Sequence, residues 1–456
     1  MMGYDFALLV NDYMESIGHE KRSIAKIATN PEKSKHLETA TMVVLGMPLD
    51  FVNLRSEVYD DASRIPSEIT FGTPSEDAYR RDFTINALLY NIHTRTVEDF
   101  TERGLDDLKH GLVRTPLEPF ETFWQDPLRV MRCIRFAARF NFKIVDEAKT
   151  AILDPRIKQA LKTKISKERI GAELDKMIDD GAGRSTAIQL LHDLSLYDVV
   201  FAPPEVDGTA KGTTIVQGDA KDVEDAFKLV WIMEWLLKIN VRTPFPEKLG
   251  TRNLILAGML YPYRDMTAVV NKKHMSAGSW ILRYGLKGKN LDIDIVTKLM
   301  ESIEPVQRVV RTVTQNPAAD EEGVQRERAE MGTIIRDIGF VQVIGKKWPC
   351  AFLLALGVDL IPRFDTLRTG VQDEETKAMI AAYNGFLSKA AAYQIDHCFA
   401  WKYLVDGKEL TKMLNIKPGP KVTDYLRVVM NWQLRHLRSS KEECQAWIMD
   451  HPDLFA

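Results

Sequence analysis

Residues 125–140 read QDPLRVMRCIRFAARF, a pattern that predicts an amphipathic helix. At 100° per residue, one arc of this helix is apolar and the opposite arc is cationic. The apolar arc contains Val130, Met131, Ile134, Ala137 and Ala138, and the cationic arc contains Arg129, Arg132, Arg135 and Arg139. Asp126-Pro127 suits the helix start, because Asp caps helices and Pro fits their first turn. We therefore expect a polyanion-binding face with one carboxylate at its upstream edge.

Asp126 and Arg129 are three residues apart, so we expect their side chains to lie next to each other. A carboxylate only accepts hydrogen bonds and a guanidinium only donates them. Cytosine and adenine each expose an amine donor beside a ring-nitrogen acceptor, which complements this edge, whereas uracil and guanine present the reverse order. The pair predicts selection of C and A without a template. A capping Asp with an Arg partner on a solvated helix remains the alternative.

Composition limits the class of protein. The 456 residues are 45% hydrophobic, enough for the cores of two or three domains. The net charge of -3 excludes a global basic field, so any nucleic-acid contact must be local. Four scattered cysteines indicate reduced thiols rather than structural zinc. We find no transmembrane-length apolar run and no signal peptide, and expect a soluble intracellular protein without a membrane partner.

The chain begins as a mixed α/β region and becomes helical after Pro119. We predict helices over 4–17 and 78–89, strands over 24–27, 39–45, 48–54 and 97–100, a hairpin turn at Gly46-Met47, a polar loop over 60–73, and a turn at 103–104. Polar stretches at 203–222 and 314–326 predict linkers or long loops.

Three further segments have the composition of a site. RRDFTINAL, residues 80–88, places cations at a helix start, where Arg81 suits a triphosphate; an ordinary solvated cap is the alternative. GLDDLKHGLVR, residues 104–114, suits a hinge as well as a site. In SKERIGAEL, residues 166–174, Arg169 and Glu173 are four apart, which favours a packing role.

The three segments and the arginine helix resemble four motifs of the class II tRNA nucleotidyltransferases. These are the CCA-adding enzymes, whose head domain bacterial poly(A) polymerases share. In chain order, motifs B, C, D and E correspond to residues 80–88, 104–114, 125–140 and 166–174. VDGKEL at 405–410 and PGP at 418–420 resemble a C-terminal segment of the fungal members. The resemblance implies an α/β nucleotidyltransferase head (polymerase-beta-like, N-terminally truncated) followed by a mostly α-helical neck, body and tail. The expected divisions are a head remnant over 1–118, a base-recognising neck over 119–200, and a tRNA-binding body and tail over 201–456.

The resemblance also implies roles for individual residues. Arg81 would contact the phosphates and sugar of the nucleotide, Asp126 and Arg129 would read its base, and Arg132 and Arg135 would hold it further. The family's usual Glu before that Asp is Gln125 here. Asp50 resembles the position of a third catalytic carboxylate, although a strand-end Asp also has structural uses.

The family's metal motif is the missing element. Its Gly-Gly turn and Asp-x-Asp hold two Mg²⁺ ions that activate the primer hydroxyl and neutralise pyrophosphate. This chain has no Gly-Gly pair, and its one Asp-x-Asp, Asp292-Ile293-Asp294, predicts an exposed helix start. We expect that the N-terminal segment with the metal ligands is absent. The chain as written is then predicted to be inactive or crippled.

The resemblance implies CCA addition to tRNA from CTP and ATP. Lys417 and Lys421 would contact the tRNA backbone from two helices around a tight loop, or that hairpin is only a packing element. A poly(A) polymerase with the same head and a non-catalytic tRNA- or nucleotide-binding protein are the rival functions. Family members work in mitochondria, nucleus and cytosol, and the sequence does not indicate an oligomeric state.

Overall fold

The structure is a computed structural model that describes residues 1–27, 39–58, 68–179, 183–203, 215–217, 222–239, 247–270, 273–339 and 345–455. The chain divides into two compact units, Met1–Val200 and Phe201–Ala456. Both units consist mainly of helices, and the strands form small, separate sheets.

The first unit opens with helix α1 (Gly3–Ser16) on a three-stranded antiparallel sheet. The sheet order is β1 (Ala25–Ile27), β2 (Thr39–Val44) and β3 (Met47–Phe51). Ala7, Ala40 and Met42 form the core between helix and sheet. The β2–β3 hairpin confirms the predicted strand pair. Its turn is Leu45-Gly46 rather than the predicted Gly46-Met47, because Leu45 and Gly46 have positive φ and Met47 already pairs with Val44.

Shorter elements follow before the helical part of this unit. They are β4 (Arg55–Val58), β5 (Glu68–Phe71), α2 (Pro74–Tyr79), β6 (Leu89–Asn91), β7 (Thr96–Glu98), α3 (Gly104–His110) and β8 (Leu112–Val113). The helical part contains α4 (Pro119–Gln125), α5 (Leu128–Phe140), β9 (Lys143–Ile144), α6 (Asp146–Leu153), α7 (Pro155–Lys164), α8 (Lys167–Asp179), α9 (Arg184–Asp193) and α10 (Tyr197–Phe201). β4–β5 and β6–β7 pair antiparallel, and β8–β9 pair in parallel.

The helix predicted over 78–89 is wrong. Thr73 caps the helix immediately before Pro74 and forms a capping box with Glu76, so the helix starts early and ends at Tyr79. Asp82 then accepts hydrogen bonds from the backbone N–H of Phe83 and the side chain of Asn86, which favours the 3₁₀ turn Thr84–Asn86 over a continued helix.

Two predicted loops also contain regular structure. β5 lies inside the loop predicted over 60–73, of which residues 60–67 lie outside the described part. Residues 103–104, predicted to form a turn, are instead the N-cap and the first residue of α3. Gly104 is required there, because a Cβ atom would lie 2.7 Å from the carbonyl oxygen of Thr84.

The second unit contains twelve helices among its described residues, α11 to α22. They are Val223–Lys238, Glu247–Leu260, Ala277–Trp280, Asn290–Glu301, Ile303–Gln315, Glu321–Gly339, Pro349–Asp359, Phe364–Arg368, Glu374–Ala392, Gly407–Met413, Lys421–Arg435 and Lys441–Asp450. Strands β10 (Ile215–Gln217), β11 (Thr267–Val270) and β12 (Lys273–Ser276) form an antiparallel sheet.

The predicted linkers of this unit need correction. Helices α15 and α16 extend into the stretch 314–326 and leave only residues 316–320 between them. Most of 203–222 lies outside the described residues, and β10 occupies 215–217. Asp292 lies in the first turn of α14, as predicted, but its side chain is buried, 3.5 Å from Arg252, rather than exposed.

Two predictions about the whole chain concern cysteines and membranes. All four cysteines are free, as their spacing indicated, and all four are buried. Among the described residues, none of the helices combines the length and apolar character needed to span a bilayer.

Candidate nucleotide site in the first unit

The two faces of α5 differ in their environment. Val130, Met131, Ile134, Ala137 and Ala138 are buried, which confirms the apolar arc. On the cationic arc, Arg129 and Arg135 are also buried, at 7% and 8% exposure. An open cationic surface is therefore the wrong description of this face. Carboxylates and carbonyls of neighbouring elements pack against its arginines.

Two of these arginines are paired with carboxylates distant in sequence. Arg132 donates from Nε to Oδ2 of Asp82 at 2.6 Å. Arg135 donates from Nε to Oε2 of Glu173, on α8, at 2.8 Å, and both side chains are buried. Lys176 donates to the other oxygen of Glu173 at 2.8 Å. These contacts fix α5 against the residue 80–82 segment and against α8.

Asp126 lies before α5 rather than in it. Its backbone is extended, with φ −134° and ψ 96°, at the end of α4. Oδ1 accepts a hydrogen bond from the backbone N–H of Leu128 at 3.2 Å, so the expected capping role is present. Oδ2 accepts from Nη2 of Arg169, on α8, at 3.2 Å. The carboxylate of Asp126 is thus bonded to Arg169 in this structure.

Arg169 is a site residue that sequence reasoning missed. The spacing suggested a pair with Glu173, but Glu173 bonds Arg135 and Lys176 instead. The signal that could have found Arg169 is its position one helical turn before Glu173, on the side of α8 that faces α5.

Arg129 has an unusual hydrogen-bond state. Its Nη2 donates to the backbone carbonyl of Arg80 at 2.7 Å. Its Nη1 is buried without a hydrogen-bond partner among the residues that the structure describes, and the same holds for Nη1 of Arg169. An unpaired buried donor costs about 1–3 kcal/mol, so an acceptor atom of a ligand would stabilise both. The expected direct pair of Asp126 with Arg129 is therefore not present, because the carboxylate of Asp126 bonds Arg169 and the guanidinium of Arg129 bonds the carbonyl of Arg80.

Arg80 and Arg81 are held by the buried carboxylate of Asp77. Arg80 donates from Nε at 2.9 Å, and Arg81 donates from Nη2 at 2.8 Å. Burial acts to raise the pKa of Asp77, but the hydrogen bonds and charges of Arg80 and Arg81 outweigh it and hold this pKa below 3.8. Arg81 also donates to the carbonyl of Asn86 at 3.1 Å. The guanidinium of Arg81 is thus half-buried and fixed beside the segment that contacts Arg129.

The segment 104–114 has a structural role. Buried Asp107 accepts hydrogen bonds from Oγ1 of Thr84 at 2.7 Å and from Nε of Arg114 at 3.2 Å. A cavity of about 400 Å³ adjoins it, with Thr84 and Arg114 among its lining residues. Asp126 and Arg129, the predicted base-reading pair, do not line this cavity.

Asp50 lies on β3 with an exposed side chain and accepts a hydrogen bond from Oγ1 of Thr41, opposite it on β2, at 2.7 Å. In the part of the chain that the structure describes, no three His, Cys, Asp or Glu side chains are placed to hold a metal ion. The described residues therefore do not fit a Mg²⁺ site, and we assign no reaction step to a metal. The contacts of Asp50 fit a structural role as a cross-strand partner.

Lys417 and Lys421 flank the loop between α20 and α21 in the second unit, and both are exposed. Asp406 and Glu409 cap α20 with a capping box, and Val405, Leu410, Tyr425 and Val429 form the core of the hairpin. The predicted helical hairpin is confirmed. A contact of its lysines with RNA stays a prediction.

Comparison with known proteins places this geometry in a family. Residues 2–114 match the family described as "Poly A polymerase head domain", and residues 141–208 match "Probable RNA and SrmB- binding site of polymerase A". The mitochondrial CCA tRNA nucleotidyltransferase of Saccharomyces cerevisiae is 35% identical over 97% of this chain and 82% of its own length. That of Candida glabrata is 33% identical over 98% and 85%.

Solved structures show the same fold at lower sequence identity. The CCA-adding enzyme of Bacillus stearothermophilus, in complex with CTP, superposes with a TM-score of 0.55 at 18% identity, over 91% of this chain and 82% of that one. The apo form II of a CCA-adding enzyme gives 0.59 at 16% identity, over 99% and 85%. The predicted fold class, a polymerase-beta-like head followed by helical regions, is confirmed. The chain belongs to the CCA tRNA nucleotidyltransferase family.

Proposed function

We propose that this protein adds C, C and A in turn to the 3′ end of tRNA, using CTP and ATP and releasing pyrophosphate. The relatives that share a third of its sequence over most of their length carry this activity in their names. The observation that carries the proposal is the state of the base-reading pair. The acceptor Asp126 is bonded to Arg169, and Arg129 follows it by three residues along the chain. Nη1 of Arg129 and Nη1 of Arg169 are both buried and unpaired among the described residues.

The chemistry of base selection follows from these atoms. The amine of cytosine or adenine would donate to Asp126, and the adjacent ring nitrogen would accept from Arg129. Binding then gives a partner to a donor that is unpaired among the described residues. Uracil and guanine would place a ring N–H against the guanidinium and a carbonyl against the carboxylate. Each wrong base therefore leaves buried polar atoms unpaired, which is the condition for strong discrimination.

The remaining nucleotide-binding residues fall into two groups. Arg81 is half-buried and held by Asp77, so we assign it the phosphates and sugar. Arg132 is half-buried beside Asp82 and is assigned to the same side of the nucleotide. The expected direct contact of Arg135 does not fit its burial and its bond to Glu173, and its role is to position α5.

We assign residues 1–118 to the head, 119–200 to the neck, and 201–456 to the body and tail. Lys417 and Lys421, in the tail, are assigned to tRNA contact. The relatives named above are mitochondrial proteins, which supports that compartment among the three expected. Nucleotidyltransferases generally use a divalent metal, and the resemblance implies Mg²⁺, but the described residues alone do not supply its ligands.

A second candidate function would not require metal ligands, which the described residues alone do not supply. A protein that binds tRNA and nucleotides without transferring them would need Asp126 and Arg129 but no metal-holding carboxylates. The two candidates differ in product and agree in nucleotide selectivity.

The deciding experiment incubates the purified chain with Mg²⁺, all four nucleoside triphosphates and tRNA lacking its last three residues, then sequences the 3′ ends. Products ending in CCA support CCA addition, and runs of A support a poly(A) polymerase. Selective binding of CTP and ATP without any product supports the second candidate. The rate, compared with the Saccharomyces cerevisiae relative, separately tests the prediction that the chain as written is crippled.

A further inference from the structure

A pair of aromatic rings lies immediately before the base-reading pair. Phe120 and Trp124 are four residues apart on α4, and their rings stack with centroids 6.0 Å apart and planes inclined by 11°. Both side chains are half-buried, so part of each ring is accessible to solvent. Accessible aromatic side chains are groups on which nucleic-acid bases stack.

A cation from α7 covers each ring. The guanidinium of Arg156 lies 4.3 Å from the ring centre of Phe120, and the ammonium of Lys164 lies 3.9 Å from that of Trp124. We call these four residues the aromatic–cation surface. Arg156 also bonds Asp154, yet its side chain stays 67% exposed. The surface thus combines ring faces with positive charge.

The chain around this surface is strongly basic. Residues 155–169 contain six cations and one acid, Glu168, against a net charge of -3 for the whole protein. Lys167 is half-buried, and burial, together with the charge of Lys162, lowers its pKa below 10.5. Two like charges near each other favour an anionic partner, because a polyanion would relieve their repulsion.

The position of this surface limits what can occupy it. Trp124 precedes Asp126 by two residues, so their Cα atoms are at most about 7 Å apart. Lys167 likewise precedes Arg169, which bonds the carboxylate of Asp126. The aromatic–cation surface is therefore within a few residues, along the chain, of the predicted nucleotide site.

We propose that the aromatic–cation surface binds the unpaired 3′ end of the RNA substrate, with a terminal base stacked against Trp124 and its phosphates beside Lys164 and Arg156. This inference rests on the proposed function and adds to it where the growing end is held. Base–aromatic stacking tolerates any base, which suits an end whose last residue changes from one addition to the next.

The test measures equilibrium binding of a hairpin RNA that has a short single-stranded 3′ extension, and of the same hairpin with a blunt end, without nucleotides. We expect the wild type to prefer the extension by about tenfold. Trp124→Ala should lose that preference, and Trp124→Phe should retain most of it. Phe140→Ala is the matched control, since Phe140 is an exposed aromatic of the same unit with Arg139 at 5.4 Å.

A second variant keeps the test independent of folding at Trp124. Lys164→Gln should weaken binding of the extended hairpin and lower the slope of log affinity against log salt by about 0.7, as expected for one lost phosphate contact with a single strand. Lys109→Gln, at an exposed lysine of α3, should leave binding of both hairpins unchanged.

The outcomes separate this inference from the proposed function. No preference of the wild type for the extended hairpin, or an unchanged preference in Trp124→Ala, overturns the role of the aromatic–cation surface. Either result leaves CCA addition to be judged by the sequenced products alone. Loss of preference in Trp124→Ala but not in Phe140→Ala supports the inference even if no nucleotide is incorporated.

Discussion

Arginines and lysines serve two different purposes in neighbouring parts of the first unit. On α5, Arg129 and Arg135 are buried and bonded to a backbone carbonyl and a carboxylate, respectively. On α7 and the start of α8, the cations are half-buried or exposed and outnumber the acids. We call the cationic arc of α5 the arginine face and residues 155–169 the basic stretch. Both are rich in cations in the sequence, but they differ in burial.

The difference shows how charge density relates to function here. Buried cations need fixed partners, because an unpaired buried charge is very costly. Fixed partners hold the side chains in one geometry, which suits the reading of a base edge. Exposed cations keep their hydration and contribute little to stability, which suits attraction of a phosphate backbone.

We expect the largest change in stability from breaking the ion pair between Arg135 and Glu173, which belongs to the buried arginine face. Arg135→Met leaves the buried carboxylate with Lys176 alone and should lower the free energy of unfolding by about 3 kcal/mol. Urea titration of the variant measures it. The double variant Arg135→Met with Glu173→Leu should recover much of the loss, and equal instability of the single and double variants would contradict the account.

The next effect concerns selectivity rather than stability. Arg129→Ala removes the donor half of the base-reading pair, so the ratio of the UTP to the CTP dissociation constant should fall about tenfold, within the range expected for one bidentate contact. Asp126→Ala should lower it similarly by removing the acceptor half. Isothermal titration with each nucleotide measures both ratios. Arg139→Ala, at the exposed end of the same face, is the control and should keep wild-type selectivity.

Acid should weaken the buried network before it affects the basic stretch. Burial acts to raise the pKa values of Asp77 and Glu173, but basic side chains outweigh it and both pKa values are lowered in the fold. Asp77 contacts Arg80 and Arg81, and Glu173 contacts Lys176 and Arg135. Their contribution to stability is complete above the unfolded values of 3.8 and 4.5 and is lost as the pH falls through the lower folded values.

Asp77→Asn should cost about 1.5 kcal/mol at pH 7, because two guanidinium groups lose a charged acceptor. It should also flatten the decline of stability as the pH falls below 3.8, since the titrating group is gone. Unfolding midpoints in urea across that range measure it. A decline as steep as that of the wild type would show that other carboxylates carry the acid sensitivity.

The smallest effect on stability is expected in the basic stretch. Lys162→Gln, at an exposed lysine of α7, should change the free energy of unfolding by less than about 0.5 kcal/mol. It should still weaken RNA binding, and more so at low salt. A large loss of stability would mean that this lysine resembles the arginines of α5 after all.

Local patterns predicted much of the fold. The α1 helix, the β2–β3 hairpin and the apolar arc of α5 follow from periodicities that span only a few residues. The helix over 78–89 failed because capping by Thr73 and the side-chain bonds of Asp82 competed with the helical pattern.

The candidate site was only partly predictable, for a reason of distance along the chain. The residues Asp126 and Arg129 could be identified from the sequence, but their partners could not. Arg169 is 43 residues from Asp126, and Arg80 is 49 residues from Arg129. Helical spacing suggests only partners one turn away, so the burial of the arginine face and the role of Arg169 required the tertiary structure.

The most direct test of the base-reading claim is a crystal structure of the protein with CTP. We predict that the cytosine amine lies at hydrogen-bond distance, about 2.9 Å, from the carboxylate of Asp126, with its ring nitrogen accepting from Arg129. The bond between Asp126 and Arg169 should then be broken or shared with the base. A cytosine ring bound elsewhere, with that bond intact and Nη1 of Arg129 still unpaired, would contradict the account.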